Sequence, residues 1–166
     1  TPDWVMKGSE AEERYREFSR PSVFSHVRLL FTLVEHIHEF DVAHRRPLLE
    51  LINGVVREEL YFRNEWHKLD IRDASEFGVS LPQNDFTVID KKVMDYDDMR
   101  VCSKCKSVCI FTAIACECSE SRVCCLRHTA NSVCSCTIKR RYIISWATNW
   151  ELENVQAKVR HLLVKN

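Results

Sequence analysis

The chain contains 166 residues, of which 45% are hydrophobic and 29% are charged, and its formal net charge is zero. This composition suits one domain with a buried core, or a small domain with an attached module. The neutral charge argues against nonspecific nucleic-acid binding, no apolar run approaches the length of a membrane span, and the N-terminus is not typical of a signal peptide. The sequence begins at Thr1 without a methionine, and we expect it to be excised from a longer protein.

The N-terminal part of the chain has the pattern of a helical domain. Residues 1–20 predict a first helix with Asp3 as its N-cap. Arg20 precedes Pro21 and predicts the end of this helix, because the residue before a proline is disfavoured in the helical region. Ser25 predicts the N-cap of a second helix. The apolar stripe of that helix contains Val27, Leu30, Phe31, Val34 and Ile37.

Three histidines in and around the second helix are weak metal-ligand candidates. His36 and His38 are two residues apart and therefore point to different faces of a helix. No acid follows any of them at the spacing of an HxD or HxE iron motif. We interpret these two residues and His26 as surface or partly buried helix residues.

The longest helical pattern runs from Asp41 to about Asp70. Pro47 is expected in its first turn, or at a division between a short and a long helix. The apolar face, predicted to pack in the core, contains Leu48, Leu51, Ile52, Val55, Val56, Leu60 and Trp66. The charged face, predicted to be solvated, contains Arg57, Glu58, Arg63, Glu65 and Lys68. Three helices of this kind predict a small antiparallel bundle.

Residues 71–100 change character and predict a connector. Gly78, Pro82 and Asn84 are typical of turns, and an apolar segment at 86–89 indicates a short strand. The acidic residues at 95–98 lack the glycine and the distal glutamate of a calcium loop, so they predict a solvated turn.

All nine cysteines of the chain lie between Val101 and Arg141. They form short chelating pairs with the spacings CxxC, CxC, CxxH and CxC, and each pair can place two soft donors on one metal ion. A disulfide framework is disfavoured by the odd count, by CxC pairs that are too close to bridge comfortably, and by the cysteine-free remainder. The pattern therefore predicts two structural zinc sites in a reducing compartment.

Counting the donors reduces the candidates to eight. Cys109 opens an apolar run and is interpreted as a buried thiol, while Cys124 is adjacent to Cys125, which already pairs with His128. The remaining candidate ligands are Cys102, Cys105, Cys116, Cys118, Cys125, His128, Cys134 and Cys136. The spacing alone leaves the pairing open between a sequential order and an interleaved order, in which the first pair joins the third.

The C-terminal segment predicts a strand and a helix. Tyr142 to Trp146 have a strand pattern, and Thr148 with Glu151 forms a capping box before the last helix. The apolar side of that helix contains Leu152, Val155, Val159, Leu162 and Leu163. The basic run Lys139, Arg140 and Arg141 is interpreted as an exposed turn, with phosphate contact as the alternative.

Two stretches carry a resemblance to a known family. The segment CSKCKSVCIFTAIACECSESRVCCLRHTANSVCSC resembles the five-cysteine, one-histidine, two-cysteine zinc finger of the Jumonji/ARID histone lysine demethylases. The segment PDWVMKGSEAEERYREFSRPSVFSHVRLL is similar to the helices that follow their catalytic Jumonji domain. Together the two cover roughly residues 1–35 and 77–145. Residues 36–76 show no close match, and RRYIISWATNWELENV departs from the family's usual continuation.

The resemblance implies the interleaved pairing. Zinc site 1 then contains Cys102, Cys105, Cys125 and His128, and zinc site 2 contains Cys116, Cys118, Cys134 and Cys136. It also implies that Cys109 corresponds to the family's third, non-ligating cysteine. We therefore expect two structural zinc ions as the cofactors of this chain.

The expected fold class is mainly α, with a small helical bundle, an attached two-zinc interleaved finger and little β structure. The expected divisions are a helical domain at 1–76, a connector at 77–100, a binuclear finger at 101–141, and a strand plus helix at 142–166 that packs on the helical domain.

The resemblance implies a structural and interaction module of a nuclear histone lysine demethylase that acts on the histone-three tail at the lysine-four mark. Iron(II) and 2-oxoglutarate would belong to a catalytic Jumonji domain outside this chain, and the chain alone would be inactive. Its expected partners are that domain and histone tails or chromatin proteins, and no membrane. A non-catalytic chromatin scaffold with the same zinc fold is the alternative.

Overall fold

The computed structural model describes residues 3–21, 25–74, 101–128 and 134–165. The predicted strand at 86–89 and the acidic turn at 95–98 lie outside these ranges. The described ranges contain four α-helices, α1 (Asp3–Glu17), α2 (His26–Glu35), α3 (Val42–His67) and α4 (Asn149–Lys165). Four strands accompany them, β1 (Arg72–Asp73), β2 (Thr112–Cys116), β3 (Ser119–Cys124) and β4 (Arg141–Ser145). Among the described residues, no helix has both the length and the apolar character needed to cross a membrane.

Local hydrogen bonds explain where α1 ends and where α2 begins. Ser19 adopts a left-handed φ of 52°, and the Arg20 N–H donates to the Tyr15 carbonyl at 2.8 Å, so α1 ends before Pro21 is reached. Ser25 caps α2 as predicted, because its side chain accepts a hydrogen bond from the Arg28 N–H at 3.3 Å.

Helix α3 is continuous over 26 residues and contains Pro47 in its interior. Neither expected position for this proline is correct, since Pro47 lies beyond the first turn and does not divide the helix. The apolar face of α3 is buried as predicted at Leu48, Ile52, Val56 and Trp66. The charged face differs from the prediction at one residue, because Arg63 is only 3% exposed.

The β structure is more extensive than expected. The four strands form one sheet in the order β1-β4-β2-β3, in which β1 pairs parallel with β4 and the other two pairings are antiparallel. Every residue of β2 is buried, and so are the first four residues of β4. Because β2 is covered on both faces, it lacks the alternation of apolar and polar residues that indicates β structure in a sequence. The chain is mainly α, but the expectation of little β structure was wrong.

Two apolar clusters connect the helices to the cysteine-rich segment. Trp66 of α3 lies in the cluster that contains β2, β4 and most of the cysteines. Conversely, Ile110 and Phe111 from the cysteine-rich segment lie in the cluster formed by α2, α3 and α4. The Phe31 and Phe111 rings meet edge to face, with centroids 5.0 Å apart. Helix α4 starts with the predicted capping box, in which the Thr148 N–H donates to Glu151 at 2.6 Å, and it packs along α3.

Candidate metal centre

Three cysteines and one histidine come together at the first candidate site. The Cys102, Cys105 and Cys125 sulfurs and a ring nitrogen of His128 all lie within 4.8 Å of one another. The Cys105 and Cys125 sulfurs are 3.8 Å apart, and His128 Nδ1 is 3.3 Å from Cys102 Sγ and 3.2 Å from Cys125 Sγ. Ligand bonds of about 2.3 Å in a tetrahedron place two sulfurs about 3.8 Å apart, so these distances suit a zinc ion. His128 presents Nδ1, rather than Nε2, to this group.

Four cysteines come together at the second candidate site. The sulfurs of Cys116, Cys118, Cys134 and Cys136 also lie within 4.8 Å of one another. The first two belong to one tight hairpin, since Cys116 ends β2 and pairs with Ser119, the first residue of β3. Cys134 and Cys136 precede the short 3-10 helix Ile138–Arg140 that leads into β4. Because β4 pairs with β2, the sheet brings the two halves of this group together.

The spatial grouping is the interleaved one. The first short pair meets the third, and the second meets the fourth. Backbone bonds fix the first pair, because the Lys106 N–H donates to the Cys102 carbonyl at 3.0 Å and the Cys102 N–H donates to Ser107 at 2.9 Å. Cys102 also forms a parallel bridge with Val123 in β3. Strand β3 therefore ends beside the first site and starts beside the second, so one strand connects the two sites.

Two cysteines lie outside both groups. Cys109 is 4% exposed, and burial raises the pKa of its thiol well above the usual range. Cys124 is 1% exposed, and its sulfur lies 3.1 Å from the Ser103 hydroxyl. Neither thiol belongs to the four-donor groups that the structure forms from the described residues.

In each group, neighbouring residues stabilise the thiolate form of one cysteine. Hydrogen bonds from Cys105, Cys124 and Cys125 lower the pKa of Cys102. Although burial favours the neutral thiol of Cys134, hydrogen bonds from the Cys136 backbone and the neighbouring thiols lower its pKa to about 7. The pKa of Cys118 is raised to about 12, chiefly by its hydrogen bonds to Cys116 and Cys134. Crowded sulfurs that share protons in this way are the type of donor set that a soft divalent cation binds.

The histidines near α2 do not join a site. His26 is 4% exposed and packs against Gly8 of α1, while His36 and His38 are exposed beside Glu39. The described residues form no third group of histidine, cysteine and acidic side chains with metal-binding geometry.

Arg63, a buried arginine on α3, bonds to the sheet, and the sequence did not indicate this role. Arg63 Nε donates to Glu59 and to the Thr112 hydroxyl, both at 2.9 Å, and Nη1 donates to Asn149 at 2.9 Å. Burial raises the pKa of Glu59, although the Arg63 charge opposes the shift. Trp66, one turn further on, donates its Nε1 proton to the Leu126 carbonyl at 2.8 Å, between Cys125 and His128. The only signal in the sequence was that Glu59 and Arg63 are four residues apart, which is also common on solvated helix faces.

The basic run before β4 is not an exposed triplet. Lys139 and Arg140 are exposed, and Arg140 pairs with Glu117 at 3.4 Å. Arg141 is only 1% exposed, and its Nη2 donates to the Cys134 and Cys136 carbonyls at 2.6 and 2.7 Å. The alternative of phosphate contact through all three residues is therefore wrong for Arg141, since its guanidinium is buried beside the second site.

Comparison with known proteins identifies the cysteine-rich segment. Residues 102–155 match the family described as C5HC2 zinc finger. Lysine-specific demethylase 5B of Gallus gallus is 28% identical over 136 residues, which cover 82% of this chain and 8% of the relative. Lysine-specific demethylase 5D of Homo sapiens and of Pan troglodytes is 29% identical over 161 residues, which cover 96% of this chain and 10% of each relative.

The chain thus spans at most about a tenth of the length of these relatives. The similarity includes the helices on either side of the finger, because the aligned part covers 96% of the chain in the longer matches. Residues 102–155 thus match the C5HC2 zinc finger family, and over most of its length the chain is similar to a region of lysine-specific demethylases 5B and 5D, which is the resemblance expected from the sequence.

Proposed function

We propose that this chain is a zinc-braced structural and interaction module of a histone lysine demethylase. The observation that carries the proposal is the pair of interleaved four-donor groups, each with the cysteine or histidine donors that zinc prefers. Cys102, Cys105, Cys125 and His128 would hold one ion, and Cys116, Cys118, Cys134 and Cys136 the other. Bound zinc would supply cross-links within the fold.

The donor count favours a structural role over catalysis. Catalytic zinc sites use three protein ligands and keep a position open for water or substrate, whereas each group here offers four. A structural zinc site contributes binding free energy on the order of 10 kcal/mol to folding. This contribution is large relative to the stability of a whole domain.

The relatives support the wider part of the proposal. They are named lysine-specific demethylases, and the chain aligns with them over most of its length. We propose that the parent protein is a nuclear iron(II)- and 2-oxoglutarate-dependent dioxygenase that acts on the histone-three tail at lysine four. The sequence of this chain contains no HxD or HxE motif, so iron would be bound by a Jumonji domain elsewhere in the parent. In this proposal the module braces that domain and contacts chromatin.

Metal analysis of the purified chain tests the zinc sites. We expect two zinc ions per chain, and about one after Cys125→Ser, because that cysteine supplies a donor to site 1. Cys124→Ser is the matched control in the neighbouring position and should retain two. One zinc ion in the wild-type chain, or loss of metal from the control alone, would contradict the ligand assignment.

The demethylase part requires the parent protein. Full-length protein should demethylate a histone-three peptide methylated at lysine four, and the activity should require iron and 2-oxoglutarate. The Cys125→Ser variant should reduce the yield of folded, active enzyme, whereas Cys124→Ser should not. A parent that binds zinc and the histone tail but does not demethylate any methylated lysine would favour the chromatin scaffold instead.

A further inference from the structure

A buried arginine lies beside the four-cysteine group. Arg141 is the first residue of β4 and pairs directly with Cys116 across the β2–β4 ladder. Its side chain reaches the other half of the group, where Nη2 donates to the carbonyls of Cys134 and Cys136. The same nitrogen lies 3.8 Å from Cys134 Sγ. Arg141 thus contacts or pairs with three of the four residues that would bind the metal.

The guanidinium is buried to a degree that its hydrogen bonds do not explain. Arg141 is 1% exposed, and among the described residues its Nε and Nη1 have no hydrogen-bond acceptor. No salt bridge involves it in the described part of the chain, where Glu117 pairs with the neighbouring Arg140. A buried cation requires a compensating negative charge close by. A group able to provide one lies close by, since Cys134 Sγ is 3.8 Å from Nη2 and belongs to the four-cysteine group.

We propose that Arg141 is the outer-sphere counter-cation of zinc site 2, and that it sets the metal affinity of this site but not of site 1. The inference rests on the zinc assignment proposed above. Zinc with four thiolates carries a net charge of −2, and zinc with three thiolates and a neutral imidazole carries −1. The more negative centre is the one with arginine contacts, since Arg140 Nη1 also lies 3.9 Å from Cys136 Sγ. At site 1, by contrast, the donors lie against one another, with His128 Nδ1 3.3 Å from Cys102 Sγ and 3.2 Å from Cys125 Sγ.

The geometry requires arginine at this position. The planar guanidinium binds two carbonyls with one nitrogen and keeps its charge next to a sulfur, whereas a lysine ammonium is a compact, strongly hydrated charge. The carbonyl bonds also hold Cys134 and Cys136 in one orientation relative to β4. Arg141 therefore acts through its charge on the metal centre and through its bonds on the position of two ligands.

Cobalt substitution of the 166-residue chain measures the two sites separately. Cobalt bound by four thiolates and cobalt bound by three thiolates and an imidazole have different visible spectra, so each site can be titrated, and then displaced with zinc. For Arg141→Met we expect the zinc affinity of site 2 to fall by about ten- to a hundredfold, the range typical of outer-sphere changes. The spectrum of the four-thiolate site should shift, and site 1 should keep its affinity. Arg141→Lys should restore part of the loss, because it keeps the charge but not both carbonyl bonds.

Lys139→Met is the control, since it removes one positive charge from an exposed residue of the same basic run. We expect this variant to weaken site 2 by less than about threefold, because water screens an exposed cation. Equal effects of the two methionine variants, or equal weakening of both sites by Arg141→Met, would overturn the inference. If Arg141→Met does not fold, Arg141→Lys must still weaken site 2 selectively. If the wild-type chain binds fewer than two metal ions, the zinc assignment itself fails. If it binds two but the variants do not affect site 2, the zinc assignment stands and the role of Arg141 fails.

Discussion

Gly8 and Gly54 both lie inside long helices, but a side chain at each position would meet different surroundings. A Cβ added at Gly8 would lie 2.5 Å from Cε1 of the buried His26 ring, and one added at Gly54 would have no atom within 4 Å. Alanine is favoured over glycine in a helix by about 1 kcal/mol. At Gly54 only this gain applies, whereas at Gly8 the overlap requires the buried His26 ring or the helix itself to shift.

We therefore predict opposite effects of the same substitution. Gly54→Ala should raise the free energy of unfolding by about 0.5–1 kcal/mol. Gly8→Ala should lower it by about 1 kcal/mol or more, since an overpacked contact costs more than the helix gains. Urea denaturation of the zinc-loaded chain measures both, and a stabilising effect of Gly8→Ala would show that the contact between α1 and α2 is loose.

At the scale of elements, Arg63 connects three of them. It bonds to Thr112 at the start of β2, to Asn149 at the start of α4, and to Glu59 one turn earlier on α3. Its side chain is 4% exposed and that of Glu59 is 15% exposed. We predict that Arg63→Met destabilises the chain by about 3 kcal/mol or more, because the carboxylate of Glu59 stays buried without its cation.

A second pair on the same helix provides the control. Arg46 bonds to Glu50 with the same spacing of four residues and a similar distance of 3.0 Å, but both side chains are more than half exposed. Arg46→Met should cost less than about 1 kcal/mol. Chemical denaturation measures both variants. Comparable losses in the free energy of unfolding would mean that burial does not determine how much the Arg63 bond contributes to stability.

The elements also show what the sequence could predict. Local signals were sufficient where the interaction is local, as in the Ser25 cap, the Thr148–Glu151 box and the apolar face of α3. The spacing of the cysteines predicted the short pairs, and the resemblance to a family predicted how the pairs combine in space.

Long-range contacts were not predictable in this way. Arg63 bonds to Thr112, 49 residues away, and Arg141 pairs with Cys116 of another strand, and no local pattern in the sequence identifies such partners. Similarly, β2 reads as a short apolar run, because both of its faces are covered and alternation is absent, whereas β4 coincides with the strand predicted at Tyr142 to Trp146. These failures share one cause, which is that burial is a property of the assembled fold.

At the scale of the whole molecule, the finger and the helices do not have separate cores. Phe111 of the finger packs among α2, α3 and α4, and Trp66 of α3 packs among the cysteines and bonds to Leu126. Each side thus supplies a large aromatic residue to the core of the other. Removal of the metal ions should therefore affect helices that contain no ligand.

We predict that a zinc chelator lowers the melting temperature of the helical circular dichroism signal by about 10 °C or more. Two structural sites contribute on the order of 10 kcal/mol each, and in a domain of this size about 1 kcal/mol corresponds to about 2–4 °C. Added zinc should restore the original transition, which controls for irreversible loss of protein. If the chelator removes both ions while the helical transition stays where it was, the helices fold independently of the finger. The shared clusters would then be a docking interface between two stable units, so the position of this transition decides whether zinc stabilises the finger alone or the whole module.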